Sequence, residues 1–158
     1  ILDSEERMLD RKYNAGFHDH KNEKEFDDYF NYTNSHPEEW DYIIRKANPI
    51  NNSVEIIKEL ESLKKRIAIL TKIHTLYEMK VKIEDIRYNR KIKCPVIFVP
   101  PGVKKHDVVI PNGQLLIDDS KKNIKLWIDN DGKGLVFDKL ISKNTDYKVK
   151  SLEFLIKR

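Results

Sequence analysis

The stretch QLLIDDSKKNIKLW, residues 114–127, carries the clearest pattern in the chain. Three apolar residues, Leu115 to Ile117, run directly into the adjacent aspartates Asp118 and Asp119. A polar turn and apolar residues at helical spacing follow, which predicts a buried strand, a short loop and an amphipathic helix. Two like charges side by side at the end of a buried strand need a counter-charge nearby, and a bound cation is the one we expect.

Similar alternation of apolar runs and helical segments extends from residue 66 to about residue 138. The runs are IAIL (67–70), VIFV (96–99), LLI (115–117) and GLVF (134–137). Short buried runs that alternate with helices are typical of βαβ units around a parallel sheet, so we predict an α/β fold. Residues 3–65 show helical spacing instead, and residues 139–158 predict a terminal strand or helix without deciding between them.

The composition limits the classes of function. The chain has 158 residues, of which 39% are hydrophobic and 35% charged, as expected for one globular domain rather than a disordered chain. The formal net charge of +4 is too small and too dispersed to indicate a nucleic-acid polymer as partner. No apolar run approaches the length of a membrane span, and the single cysteine, Cys94, excludes an internal disulfide. We therefore expect a cytoplasmic protein with no membrane partner.

Polar residues follow three of the predicted strands. They are Thr71 and Lys72, then Lys104 and Lys105, then Asp118 and Asp119. In open parallel sheets, ligands bind at the carboxyl ends of the strands, so we expect a hydroxyl, an ammonium and two carboxylates to converge in one crevice. This set suits a phosphate with a divalent cation, because carboxylates bind Mg²⁺ while lysine and the hydroxyl contact phosphate oxygens.

These segments resemble the second, third and fourth motifs of the haloacid dehalogenase-like hydrolases. The resemblance covers roughly residues 36–138 and is greatest for the small 5'(3')-deoxyribonucleotidase-like phosphatases of bacteria and phages. It implies a single domain over residues 1–158, with a helical cap at about residues 5–50 and a Rossmann-like core with a parallel sheet at about 51–140. It also implies Mg²⁺-dependent hydrolysis of a small phosphomonoester through an aspartyl-phosphate, with a deoxynucleoside monophosphate as the leading substrate.

The resemblance assigns roles to the residues at the strand ends. Thr71 matches the catalytic threonine that binds the transferred phosphate, and Lys72 lies beside it as a further phosphate-binding residue. Lys105 best matches the catalytic lysine that stabilises the charge of the nucleophile and the phosphate, with the adjacent Lys104 as its rival. The pair of aspartates at residues 118 and 119 matches the acidic pair that positions Mg²⁺.

One motif of the family is not in this sequence. The first motif, DxDG(T/V), supplies the nucleophilic aspartate and a second aspartate that acts as acid and base. We expect both to lie upstream of Ile1, so that this chain alone is an inactive form of the enzyme. The alternative is a non-catalytic module of the same fold that binds phosphate or a partner.

Simpler explanations exist for several of these features. Adjacent aspartates also occur as a helix cap beside a solvated neighbour, and paired lysines are common surface residues. The histidines are more often exposed polar residues than ligands, including His18 and His20 in HDH and the pair His74 and His106. A response-regulator receiver also combines an acidic pair, a threonine and a lysine, but there the acidic pair comes first, whereas here it comes last.

Overall fold

A computed structural model describes residues 23–157, apart from the side chains of residues 23–27 and Phe30. The first part of the segment for which we predict helical spacing, residues 3–22, and with it the start of the predicted cap, lies outside the described residues. Over the described range there are six α-helices: α1 (Glu23–Ser35), α2 (Pro37–Lys46), α3 (Ser53–Ser62), α4 (Leu76–Glu84), α5 (Lys105–Val108) and α6 (Lys121–Ile128). Five strands accompany them: β1 (Ile69–Lys72), β2 (Val96–Val99), β3 (Leu115–Asp118), β4 (Lys133–Phe137) and β5 (Lys148–Val149).

These elements form two compact units. The first contains the described residues 23–49 and 73–93, and the second contains residues 50–72 and 94–157. Helices α1, α2 and α4 therefore belong to the first unit, while every strand belongs to the second.

The first unit is held together by packing between α2 and α4. Trp40 and Ile44 on α2 form a buried cluster with Val81 on α4. Helix α2 starts at a proline and carries acidic residues in its first turn and basic residues in its last, which favours helix formation at both ends. The Arg45 guanidinium in that last turn reaches Glu84 at the end of α4, with 2.7 Å between Nη2 and Oε2.

The second unit contains two parallel sheets. Strand β1 pairs with β2, and Thr71 lies opposite Phe98. The other sheet has the order β3-β4-β5, and Asp118 lies opposite Val136. Among the described residues, β1 and β3 each have a neighbouring strand on one side only. Beneath β3, Leu116 packs with Ile124 and Trp127 of α6.

The general α/β prediction is confirmed, because helices alternate with short parallel strands. All four predicted strands form, but they lie in two small sheets rather than in one. Strand β1 both begins and ends two residues later than its apolar run, residues 67–70. Thr71 and Lys72 therefore lie inside the strand rather than after it. For residues 139–158 the sequence did not decide between a strand and a helix. In the structure, the described part of this segment contains β5 and then a short 3-10 helix, Glu153–Leu155.

Candidate functional site

The site centres on Asp118, the last residue of β3. Its side chain is only 3% exposed, and its carboxylate accepts hydrogen bonds from three groups. Lys105 Nζ lies 2.5 Å from Oδ2, the Ser120 N–H lies 2.8 Å from Oδ1, and Asn123 Nδ2 lies 3.1 Å from Oδ1. Ser120 is also the N-cap of α6, because its hydroxyl accepts from the Asn123 N–H. The tight turn from β3 into α6 therefore places both donors at the carboxylate.

Lys105 is the counter-charge of Asp118. It is the first residue of α5, its side chain is 12% exposed, and its ammonium also donates to the Leu70 carbonyl at 2.9 Å. One lysine thus connects β1 with β3. Lys104 precedes it as the N-cap of α5 and is exposed, with its backbone N–H bonded to Asp107. The sequence did not decide finally between the two lysines, and it favoured a metal as the counter-charge of the aspartates. In the structure, the counter-charge of Asp118 is Lys105.

The two aspartates have opposite electrostatic properties. Burial alone would raise the pKa of the Asp118 carboxyl, but the charge and hydrogen bond of Lys105, with help from Ser120 and Asn123, lower this pKa below its ordinary value. Asp119 is exposed over the residue as a whole, but its carboxyl group is partly buried, and this burial raises the pKa of Asp119. The neighbouring Asp118 raises the same pKa further. A second cation near Asp119 would relieve this repulsion.

Thr71 and Lys72 complete the set of predicted site residues on β1. Thr71 is half-buried and directly follows Leu70, whose carbonyl receives Lys105. Its hydroxyl lies 3.4 Å from the Lys72 carbonyl. Lys72 is exposed at the end of the strand. The structure therefore brings Lys105 to Asp118 and places Thr71 one residue from the carbonyl that the same lysine contacts.

Asn123 and Ser120 are site residues to which the sequence analysis gave no role. Asn123 donates to both carboxylate oxygens of Asp118, at 3.1 and 3.3 Å. The sequence did contain a signal for the role of Asn123. A serine directly before a helical pattern is a common N-cap, and the position of the cap fixes which residues of the first turn face the end of the strand. The interaction of Asn123 with a residue five positions earlier follows from that cap.

The residues set aside in the sequence have other roles in the structure. His74 pairs with Glu78, with 3.1 Å between Nδ1 and Oε2, inside the first unit. His106 lies next to Asp107, and Cys94 is buried with its backbone N–H bonded to Glu61. His18 and His20 lie outside the described residues.

The two carboxylates at this site are compatible with a Mg²⁺ ion whose other ligands are waters or substrate phosphate oxygens. Within residues 23–157, no three His, Cys, Asp or Glu side chains are gathered closely enough to hold a metal ion by themselves. Mg²⁺ in phosphoryl-transfer sites is usually held by one or two carboxylates together with waters and substrate phosphates. Because the Asp118 carboxylate is already bonded by three donors, Asp119 is the carboxylate with more room for such an ion.

Comparison with known proteins adds no assignment. No protein-family model, no curated protein and no solved structure matches this chain. In the part of the chain that the structure describes, no helix is both long enough and apolar enough to cross a membrane.

Proposed function

We propose that this chain belongs to a Mg²⁺-dependent phosphomonoester hydrolase, with a haloacid dehalogenase-like core and a helical cap. The observation that carries the proposal is the contact between Lys105 and Asp118, which joins two segments that the resemblance had assigned to one site. A small phosphorylated substrate is part of the proposal, with a deoxynucleoside monophosphate as the leading candidate. A cytoplasmic location, consistent with the single cysteine Cys94, belongs to the same proposal.

Each residue of the site has a defined task in this reaction. The Thr71 hydroxyl donates to an oxygen of the transferred phosphoryl group, and Lys72 adds positive charge beside it. The Lys105 ammonium stabilises negative charge on the nucleophile and the phosphoryl oxygens. Asp119, with Asp118 next to it, would hold Mg²⁺, which when bound supplies further positive charge to the phosphate.

The attacking group must be a carboxylate that is not among these residues. Asp118 is unsuited to attack because it is bonded to Lys105, Ser120 and Asn123. In our proposal the nucleophilic aspartate lies upstream of Ile1, on a strand that carries the DxDG motif. Threonine, lysine and metal alone hold a phosphate but do not form the covalent intermediate.

The experiment compares two lengths of the protein. We expect this chain to release no phosphate from deoxynucleoside monophosphates in the presence of Mg²⁺, and a form extended by about ten natural upstream residues, one strand with its turn, to release it. In the extended form, Lys105→Met should abolish turnover, whereas Lys125→Met, which removes an exposed ion pair with Asp129, should not. Full activity in the short chain, or none in an extended chain that carries DxDG, would overturn the proposal.

A non-catalytic module of the same fold is the second candidate. It is favoured by the internal hydrogen bonding of Asp118, whose carboxylate is fully bonded without any ligand. This candidate predicts that the natural upstream sequence lacks the motif, and that phosphate binds in calorimetry without turnover at any chain length.

A further inference from the structure

Lys148 lies at the same level of the sheet as Asp118, two strands away. Asp118 at the end of β3 is opposite Val136 of β4, and Val136 is opposite Lys148 of β5. Residues that are opposite one another on neighbouring strands point to the same face, and two strand spacings amount to about 10 Å. At this level the sheet therefore carries the candidate site on β3 and a lysine on β5, on one face.

An aspartate and a second lysine form a cluster with Lys148. The ammonium of Lys148 lies 3.0 Å from a carboxylate oxygen of Asp138, directly after β4, and both side chains are partly exposed. The hydrogen bond from Lys148 is the main cause that lowers the pKa of the Asp138 carboxyl, and the nearby charge of Lys121, the first residue of α6, lowers it further. Two ammonium groups thus adjoin one carboxylate, which leaves one positive charge that an anion can balance.

The positive charge of the chain is concentrated in the segment that contains β5. Residues 139–158 include six basic and two acidic residues. Their excess of four positive charges equals the formal net charge of the whole chain, +4, so residues 1–138 are neutral overall. The charge is therefore not dispersed, contrary to our expectation from the sequence, and it attracts the anionic part of a ligand towards β5.

We propose that the substrate carries a second phosphate, and that Lys148 binds this group together with Lys121. The inference rests on the proposed function, because the first phosphate is the one that Thr71 and Lys105 contact. A nucleoside 3',5'-bisphosphate fits this description, since one sugar separates its two phosphates. Lysine suits the role because a compact ammonium on a flexible stem can leave the Asp138 carboxylate and contact a phosphate oxygen.

The second phosphate takes no part in the bond that is broken. Hydrolysis of the first phosphate ester consumes one water, releases inorganic phosphate and leaves a nucleoside monophosphate that keeps the second group. Lys148 is therefore a specificity-determining residue that favours substrates with two phosphates over those with one. Because it binds the substrate and the transition state equally, its removal should raise KM for the bisphosphate and leave kcat unchanged.

The first test measures binding to the 158-residue chain by calorimetry at a fixed concentration of free Mg²⁺. Deoxythymidine 3',5'-bisphosphate should bind about tenfold more tightly than either matching monophosphate, because the second phosphate adds charge-assisted hydrogen bonds. Lys148→Met should remove this difference and leave the Kd of the monophosphates within about twofold of the wild type. Lys148→Arg, which keeps the positive charge, should retain most of the difference.

Two control variants separate this role from general attraction and from a purely structural role. Lys143→Met removes another exposed lysine of residues 139–158, and the tenfold difference should persist. Asp138→Asn removes the carboxylate that competes for Lys148, so the bisphosphate should bind up to about fivefold more tightly, whereas a lysine that only joins β4 to β5 predicts no gain. Equal losses in Lys143→Met and Lys148→Met, or no preference for the bisphosphate in the wild type, would overturn the inference.

A second variant keeps the test decisive if Lys148→Met does not fold. Lys121 is exposed at the start of α6, so Lys121→Met should keep the melting temperature of the wild type. This variant should lower the preference for the bisphosphate about threefold. An unchanged preference would remove Lys121 from the site and contradict the proposed cluster.

The outcomes separate this inference from the proposed function. Lys148-dependent binding of the bisphosphate, without phosphate release at any chain length, would refute the proposed function and support the site for a second phosphate. Hydrolysis of the bisphosphate and the monophosphates by the extended form with equal kcat/KM, unchanged in Lys148→Met, would support the proposed function and overturn the inference. A lower KM for the bisphosphate that depends on Lys148 would support both.

Discussion

Lys105→Met is the sharpest test of the electrostatic arrangement at the site. The substitution keeps most of the side-chain length but leaves the Asp118 carboxylate, 3% exposed, without a counter-charge. Removing one partner of a buried ion pair costs about 3 to 5 kcal/mol. We expect a cost of about 3 kcal/mol at pH 7, at the lower end of that range, because Ser120 and Asn123 still bond the carboxylate.

Lys125→Met provides the matched control. Its ion pair with Asp129 is also short, 2.6 Å, but the two side chains are 76% and 48% exposed. Exposed pairs contribute about 0 to 1 kcal/mol, so this variant should remain within about 1 kcal/mol of the wild type. The difference between the two variants isolates the effect of burial from that of geometry.

The measurement is urea unfolding at several pH values, followed by the fluorescence of Trp127 in a Trp40→Phe background. Because Lys105 lowers the pKa of Asp118 in the folded state, its contribution is present above the unfolded pKa, about 3.9, and is lost as pH falls through the folded pKa. Without Lys105, burial raises the pKa of Asp118. At low pH the Asp118 carboxyl of the variant is then protonated, and no unpaired charge is left buried. The cost should therefore shrink below about pH 4. A cost under about 1 kcal/mol at pH 7, or one equally large at pH 3, would refute this reasoning.

Three further predictions concern other positions. Gly132→Ala should destabilise the chain by about 1 to 3 kcal/mol in urea unfolding, because the new Cβ would lie 2.7 Å from the Trp127 carbonyl oxygen and against its indole ring; an unchanged midpoint would contradict this geometry. Glu78→Gln should cost about 2 kcal/mol by the same assay, because the buried carboxylate accepts from both the backbone and the ring of His74; full stability would show that charge there is dispensable. Asp119→Asn should weaken Mg²⁺ binding to the extended form about tenfold in calorimetric titration, and unchanged affinity would remove the metal role from this residue.

The strand β3 and helix α6 were predictable because their signals are local. A run of apolar residues, a serine cap and apolar residues at helical spacing each depend on near neighbours in the chain. The end of β1 was misplaced because the apolar run stops at Leu70, whereas the strand continues through Thr71, a β-branched residue that suits strands, and Lys72. Hydrophobicity thus located the strand but did not mark its end.

The division into two sheets was not predictable, because strand pairing depends on contacts between distant segments. The choice between Lys104 and Lys105 was also beyond the sequence, since adjacent residues at the start of a helix point about 100° apart. Only the position of α5 relative to β3 decides which of them reaches Asp118. The role of Asn123 follows from the same kind of geometry, once the cap at Ser120 is known.

The short length of α5 has a consequence for motion on the time scale of hydrogen exchange. Four residues, Lys105–Val108, form little more than one turn, and such a helix has almost no stability of its own in water. Its amides should therefore exchange through local opening that leaves the strands intact, whereas the amides of β4 exchange only when its sheet opens. The ammonium of Lys105 is thus carried by an element that can detach and re-form many times during the lifetime of a single folded molecule.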